Sequence, residues 1–545
     1  MTGRCRPHLF PVLLYFAFAA AVYLVHGAEP ELSIDHIAYF KLTDEIHAQH
    51  PAGDYWRAFD ALHGYAILIA YLSDLTASKI TSLKLLLAGM TVAYLFAFEQ
   101  LAFFFTNSRP FSVLFSLLSA LFVSFGASFW GMTDFAASLH RTLVVPFFVL
   151  ILWFFLRFRD SPWRYAAYPL LVALSLLHLS TYHVLLVLLA FEPIDWLFLR
   201  RGRLDRRLGF FAAGLVAALI VGKLIAISGL GFTSFLGDSF SRVWREKGTL
   251  SPAEAWSIEL YAFPWRNMPL PVSTLANQLL SYGVICALTV AGAIVTRRRE
   301  GWTPLDRVML AFAAAVLAAA YGPQTLIWGL REHFPIYPIN FEEVRAINLI
   351  MIPSLYFVSR LVMTLWRDGG WRHRAVAAAA VILFAVQPVM VLRALPVSWR
   401  VALLERMTTA GVIRKEDTFR MLYARQYLGL AREGPRFYYS ARGLLDWLGR
   451  NALPNDRLLT DHNEFRVAGL EVVGAFQNVV STGLTQASRR EWKRELDAVT
   501  AALASHDIVE VSRVAKSLDA TLVIVPWPEP EALYQDENFS VLRVN

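Results

Sequence analysis

Asp35 and Tyr39 lie four residues apart in the segment Ser33-Ile34-Asp35-His36-Ile37-Ala38-Tyr39, directly beyond the first apolar run of the chain. A carboxylate held at a fixed short distance from a lipid boundary can take a proton from an incoming hydroxyl, which is the task of a general base. The same stretch holds Glu29, Glu31, Asp44, Glu45, Asp54 and Asp60 against only Lys41 and Arg57. Most of these acids read as a solvated face, with Asp54 as the second candidate after Asp35.

A complementary set of cations stands in or beside apolar runs: Arg141 next to His140, His178 and His183 between two short runs, Lys223 within a long one, and Arg345 at the head of another. Ionisable groups in apolar spans are costly, so each asks for a function or a partner. Together they could hold a phosphate, through bidentate guanidinium contacts or as point charges. The alternatives are snorkelling or pairing with nearby acids, as Arg345 could with Glu342. Glu99 is expected to pair with one of these same cations. Trp244, Arg245, Trp256, Trp265 and Arg266, between residues 231 and 275, suit stacking on a sugar ring or an interfacial aromatic belt. The sequence carries no zinc-ligand spacing, no Walker loop and no readable Ser-His-Asp arrangement.

The elements that must position these residues are apolar. Of the 545 residues 56% are hydrophobic and 17% charged, with a mean hydropathy of +0.44, a composition of polytopic membrane proteins rather than soluble ones. Twelve apolar runs stand out, roughly 8–26, 61–77, 80–105, 110–129, 132–156, 165–180, 181–199, 208–230, 276–296, 308–330, 346–366 and 375–395. Arginine clusters at 157–164, 200–207, 297–299 and 367–374 read as cytoplasmic, and Arg4 and Arg6 hold the N-terminus there too. The first run lacks a small-residue cleavage site and reads as a retained span. Residues 231–275, 331–345 and the last 150 then face outside. Parity requires one run among 61–77, 80–105 and 110–129 not to cross, and the short 61–77 is the favoured one, giving about 11 crossings. The net charge of +8 reflects this arginine distribution and not a nucleic-acid surface. With two cysteines, Cys5 and Cys286, one near the N-terminus and one inside an apolar run, an outside domain is expected to stand on its packing rather than on a disulfide.

After about Pro396 the runs shorten and charge rises. Residues 440–450 and 487–504 have helical periodicity, while 519–526 and 539–544 read as strands. The expected organisation is a transmembrane domain over 1–395 with a functional first outer loop at 28–60, followed by an extracytoplasmic α/β domain over 396–545.

That order along the chain resembles the GT-C superfamily of polyprenyl-phosphate-sugar-dependent membrane glycosyltransferases, in a bacterial branch with a C-terminal soluble domain. Asp35 and Tyr39 match the family's Asp-Glu-x-x-Tyr loop motif, with His36 in place of the second acid. Phe129-Trp130-Gly131-Met132-Thr133-Asp134 resembles its second acidic position. His140-Arg141-Thr142, Leu177-His178-Leu179-Ser180-Thr181-Tyr182 and Asn463-Glu464-Phe465-Arg466 resemble the branch. The resemblance implies a GT-C-like α-helical polytopic protein in the inner (plasma) membrane, with its C-terminal domain outside. It implies sugar transfer from a polyprenyl-phosphate-linked donor to an extracytoplasmic glycan, lipid or protein acceptor. Asp35 would be the catalytic base, and Arg141, His178, Arg345, Lys223, Tyr39, Asp54 and Asp134 would bind substrate or donor. A divalent cation between Asp35 and Asp134 is one option, since some relatives use one. A flippase of lipid-linked sugars, or a non-enzymatic envelope-assembly scaffold, would share the membrane features.

Overall fold

The computed structural model describes residues 9–27, 34–59, 64–121, 140–178, 180–200, 206–228, 283–330, 343–367, 369–385, 456–460, 470–473 and 486–544, with short pieces between. Its apolar runs become helices in chain order: α1 (Leu9–Gly27), α2 (Ile34–Gln49), α3 (Gly64–Thr76), α4 (Lys79–Thr106), α5 (Arg109–Leu121), α6 (Val145–Arg157), α7 (Ala167–Leu174), α8 (Thr181–Ile194) and α9 (Arg207–Ser228). After the undescribed residues 229–282 come α10 (Gly283–Arg299), α11 (Pro304–Leu330), α12 (Met351–Arg367) and α13 (Trp371–Ala385). A short hairpin of β1 (Val123–Ser124) and β2 (Ala127–Ser128) follows α5.

Local sequence sets the ends. Ser78, extended, accepts the Thr81 N–H at 3.3 Å and opens α4; Asn107, at φ +46°, closes it by donating its N–H to the Phe103 carbonyl at 2.8 Å. Thr303 and Asp306 form a reciprocal cap at the start of α11, at 2.6 and 3.2 Å. Five stretches are long and apolar enough to cross a membrane: α4, Thr181–Leu199, Arg207–Ile225, Pro304–Pro323 and Arg345–Arg367. This is a helical chain built to span a membrane several times.

Several expected boundaries shift. The region 28–60 is not a loop: it contains α2 and a 3-10 turn at Tyr55–Ala58. Among the described residues of the run 132–156, a 3-10 turn at His140–Leu143 precedes the α-helix that begins at Val145. The run 165–180 breaks into a 3-10 turn at Pro162–Ala166, the eight residues of α7 and a further turn. The run 346–366 opens with a 3-10 turn at Glu343–Ile350. α3 has 13 residues, about 20 Å of helix against a hydrocarbon core of roughly 30 Å.

The helices share one core, rich in Phe98, Phe148, Phe155, Tyr168, Phe312 and Tyr356. Close crossings use glycine: a Cβ on Gly292 of α10 would stand 2.2 Å from the Phe357 carbonyl oxygen of α12. Buried ion pairs hold the ends where α6 meets α7 and α8 meets α9. Arg164, 1% exposed, donates to Asp195 at 3.3 Å and to Glu192, while the Tyr168 hydroxyl also reaches Glu192 at 3.1 Å. Arg200 Nε donates to Asp195 at 2.7 Å from a π-helical turn, Asp195–Leu199, that extends α8.

The chain divides into two units, and Leu32–Lys41, the first turns of α2, belong with the C-terminal one. That second unit has a five-stranded sheet of β3 (Arg457–Leu459), β4 (Glu471–Val473), β5 (Leu522–Val525), β6 (Tyr534–Gln535) and β7 (Ser540–Arg543). The order is β4-β3-β5-β7-β6, parallel from β4 to β5 and antiparallel beyond. Helices α14 (Gln486–Ala504) and α15 (Ile508–Ser517) precede β5, and Val511, Val514 and Ala515 bury one face of α15 against it. Asp456 ties the sheet ends, accepting from the Leu453 N–H and the Thr521 hydroxyl, both at 2.8 Å, and from both Arg543 Nη atoms at 3.2 Å.

Candidate functional site

Helix α2 carries the residues nearest to the candidate base. His36, Tyr39, Thr43 and Ile46, spaced by three and four, are all buried and form one stripe. Asp35 sits in the first turn, next to His36; its side chain lies outside the described atoms. The second half of α2 rests on α3. Thr43 Oγ1 donates to the Ala66 carbonyl at 3.4 Å, Lys79 pairs with Asp44, and His47 Nε2 is 3.4 Å from Asp74. The Tyr55 ring meets His47 and Tyr71 edge-on at 5.1 and 5.0 Å, and the Tyr71 hydroxyl donates to the Gly53 carbonyl at 2.8 Å. Asp54 heads the turn Tyr55–Ala58 and pairs with Arg57 at 3.0 Å on the surface.

Three of the expected phosphate-binding groups fall at the starts of helices, His178 and Arg345 at the ends of runs as expected and Arg141 ahead of its helix rather than within it. Arg141 lies on the 3-10 turn that packs against α3 and α4 and leads into α6, where Pro146 fixes the first turn. Arg345 lies on the 3-10 turn that packs against α8 and α11 and leads into α12. His178 precedes α8. Helices α6, α8 and α12 all run from these residues toward the arginines of the opposite end, Arg157, Arg200 and Arg367. Contacts agree with this assignment of ends: the Arg345 turn touches β1, just past α5, while Arg159 Nη1 donates to the Pro304 carbonyl at 3.4 Å at the other end. Arg141 and Arg345 are both half-buried. Three helix N-termini and three nitrogen-bearing side chains therefore share one end of the bundle, an electrostatic setting that favours an anion.

His178 has a defined role there. Its Nδ1 accepts the Ser180 backbone N–H at 2.9 Å and lies 2.7 Å from the Ser180 hydroxyl. A backbone N–H can only donate, so Nδ1 carries a lone pair and the neutral ring has its proton on Nε2. His178 is held as an N–H donor rather than a full cation. The sequence reading had missed Ser180; a serine two residues after a histidine at a helix start was the available signal.

The remaining candidates fare differently. Lys223 is exposed on α9, on the same apolar face as Val216, Leu219, Ile220 and Ile227. Asp134, Glu342 and residues 231–275 lie outside the described residues, as do Asn463–Arg466. Glu99 corrects an expectation. It does meet a cation, but the partner is Arg109 at 3.6 Å, with the Tyr15 hydroxyl donating at 3.0 Å, and not one of the candidate cations. Among the described residues no group of three His, Cys, Asp or Glu side chains is placed to hold a metal ion.

No family model matches the chain, and no curated protein does. Among solved structures, the chain is similar to ArnT from Cupriavidus metallidurans bound to undecaprenyl phosphate, with 13% identity, 97% of each chain covered and a TM-score of 0.40. An overlap that loose assigns no role to any residue.

Proposed function

We propose that this chain is an integral-membrane glycosyltransferase that moves a sugar from a polyprenyl-phosphate-linked donor to an extracytoplasmic glycan, lipid or protein. The observation that carries the reading is the gathering of Arg141, His178 and Arg345 at the starts of three helices on one end of the bundle. Transfer breaks the bond between the anomeric carbon and the phosphate oxygen, and the acceptor oxygen forms the new bond. The electron pair of the broken bond stays on the phosphate, whose charge Arg141 and Arg345 would hold as guanidinium partners and His178 as an Nε2–H donor. The acceptor's proton passes to Asp35, the base. Tyr39, Asp54, Asp134 and Lys223 are the further groups proposed to line donor or acceptor, Lys223 from the lipid side, where it could meet a polyprenyl phosphate before entry. No step is routed through a metal ion. The protein would sit in the inner (plasma) membrane with its N-terminus in the cytoplasm and its C-terminal domain outside.

Asp35→Asn tests the reading, because it removes the proton acceptor at nearly constant shape. Single-turnover transfer from a radiolabelled polyprenyl-phosphate sugar should fall by about 10²- to 10⁴-fold while donor binding changes little. Transfer within a few fold of the parent would remove Asp35 from the mechanism.

A further inference from the structure

Charge and aromatic surface gather at the end of the bundle opposite the candidate site. Arg297, Arg298 and Arg299 close α10, Arg367 closes α12, and Arg372 and Arg374 open α13, all of them exposed. The three helices pack on one another, so these ends adjoin. The acids described at this end are already engaged. Glu300 takes Arg360 and the Thr364 hydroxyl, the latter at 2.9 Å. Asp306 takes Thr303, the Tyr356 hydroxyl at 2.7 Å and Arg360 at 3.8 Å. Asp368, the remaining acid of this stretch, lies outside the described residues.

Two tryptophans stand among these arginines, Trp366 at 45% and Trp371 at 75% exposure. The Arg374 guanidinium lies 5.6 Å from the Trp366 ring centre and that of Arg372 lies 5.7 Å from the Trp371 ring centre. A guanidinium over a ring keeps its edge N–H groups available to an anion, and tryptophan prefers the headgroup level of a bilayer. Next along the same helices the surface turns apolar: Val376, Ile382 and Leu383 on α13 and Val290 and Ile294 on α10 are all exposed.

We propose that this corner of α10, α12 and α13 is a docking site for an anionic phospholipid, its phosphate diester received by Arg372, Arg374, Arg297 and Arg298. Its acyl chains would lie along the exposed apolar residues of α13 and α10. The continuity of cation, tryptophan and aliphatic surface distinguishes a lipid from a free phosphate, which would have no use for the apolar part. The arginines do more here than orient the chain, because orientation requires neither the ring contacts nor the neutralised acids.

The full chain in mixed micelles provides the test, with bound lipid counted by native mass spectrometry and stability read by the thermal midpoint. Phosphatidylglycerol should be retained and should raise the midpoint, while phosphatidylcholine and glycerol phosphate should do neither. R372Q/R374Q should weaken phosphatidylglycerol retention roughly 30-fold, at about tenfold per 1.4 kcal/mol and about 1 kcal/mol per arginine near a charged surface. Equal retention of phosphatidylcholine, an equal shift with glycerol phosphate, or unchanged retention in R372Q/R374Q would each overturn the proposal. If that variant does not accumulate, salt decides on the parent protein. Retention should fall steeply between about 0.05 and about 0.5 M salt, and undiminished retention rejects a charge-held headgroup.

Discussion

Two groups of arginines in the bundle are placed differently. At one end Arg164 meets Glu192 and Asp195, Arg109 meets Glu99, and Arg360 meets buried Asp306 and exposed Glu300, each joining elements distant in sequence. These three hold helices together, while Arg297, Arg298, Arg367, Arg372 and Arg374 at the same end are exposed. At the other end Arg141 and Arg345 also sit on 3-10 turns just before a helix begins, as Arg164 does before α7. Helices α6, α8 and α12 begin beside Arg141, His178 and Arg345, and helix starts next to such groups favour an anion. The comparison teaches that an arginine's neighbours on the sequence say little about its task. For Arg164 the task is set by Glu192 and Asp195, which the fold brings from far along the chain.

The largest expected effect comes from breaking the clamp. Arg164→Ala leaves Glu192 and Asp195 buried without their shared cation, and should cost about 3–5 kcal/mol of stability. A thermal midpoint unchanged from the parent would show that the clamp does not hold this end. Arg345→Ala should do the reverse, lowering affinity for a polyprenyl-phosphate donor by about 10- to 100-fold with a small change in midpoint. Arg345→Lys should recover only part, because lysine lacks the planar two-pronged contact. If Arg345→Ala lowers the midpoint and leaves affinity intact, both ends of the bundle are structural.

The same clamp recurs in the second unit, where it can be titrated. Burial pushes the Asp456 carboxyl up, but the Leu453 N–H, the Thr521 hydroxyl and Arg543 outweigh it and hold the group below the usual carboxylate range. A carboxyl lowered in the folded state adds stability that is present above its unfolded value, near 3.9, and is lost as pH falls through the folded one. Asp456→Asn should cost about 1–3 kcal/mol at neutral pH and flatten the acid limb of the unit's unfolding, followed by hydrogen exchange of β3 and β5. An unaltered acid limb would assign that limb to other groups. The smallest effect is expected at Lys223. Lys223→Leu on the exposed face of α9 should change stability by about 0.5 kcal/mol or less and slow only the capture of donor from dilute vesicles.

Much of the helical framework was legible because hydropathy over a long run needs no tertiary information. Helix α2 was not, and its stripe explains why: His36, Tyr39, Thr43 and Ile46 mix polar with apolar residues, so no amphipathic pattern marks the face that is buried. The 3-10 turns at Arg141 and Arg345 escaped because apolar residues fill a 3-10 turn as readily as an α-helix. Pro146 and Pro353, just inside α6 and α12, were the available hints of a fresh helix start. In the candidate site, the residue types were readable but not their partners. Arg164 read as one more cytoplasmic arginine, and its acids stand 28 and 31 residues away. Glu99 was rightly expected to meet a cation, but the turn at Asn107 that folds α5 back brings Arg109 to it first.

The π-helical turn at Asp195–Leu199 has a consequence for how this chain can change length. In an ordinary helix a residue five places on lies about 140° around the axis, too far for Arg200 to cover Asp195. The turn closes from the Asp195 carbonyl to the Arg200 N–H at 3.0 Å, which brings Arg200 back above its partner. Deleting Phe198, which is 76% exposed, would leave the arginine four places after Asp195, the spacing at which a regular helix pairs them. The ion pair would survive the loss of a residue. An insertion at the same place would swing the arginine away and strand a buried carboxylate, so this segment can shorten by one residue but cannot lengthen.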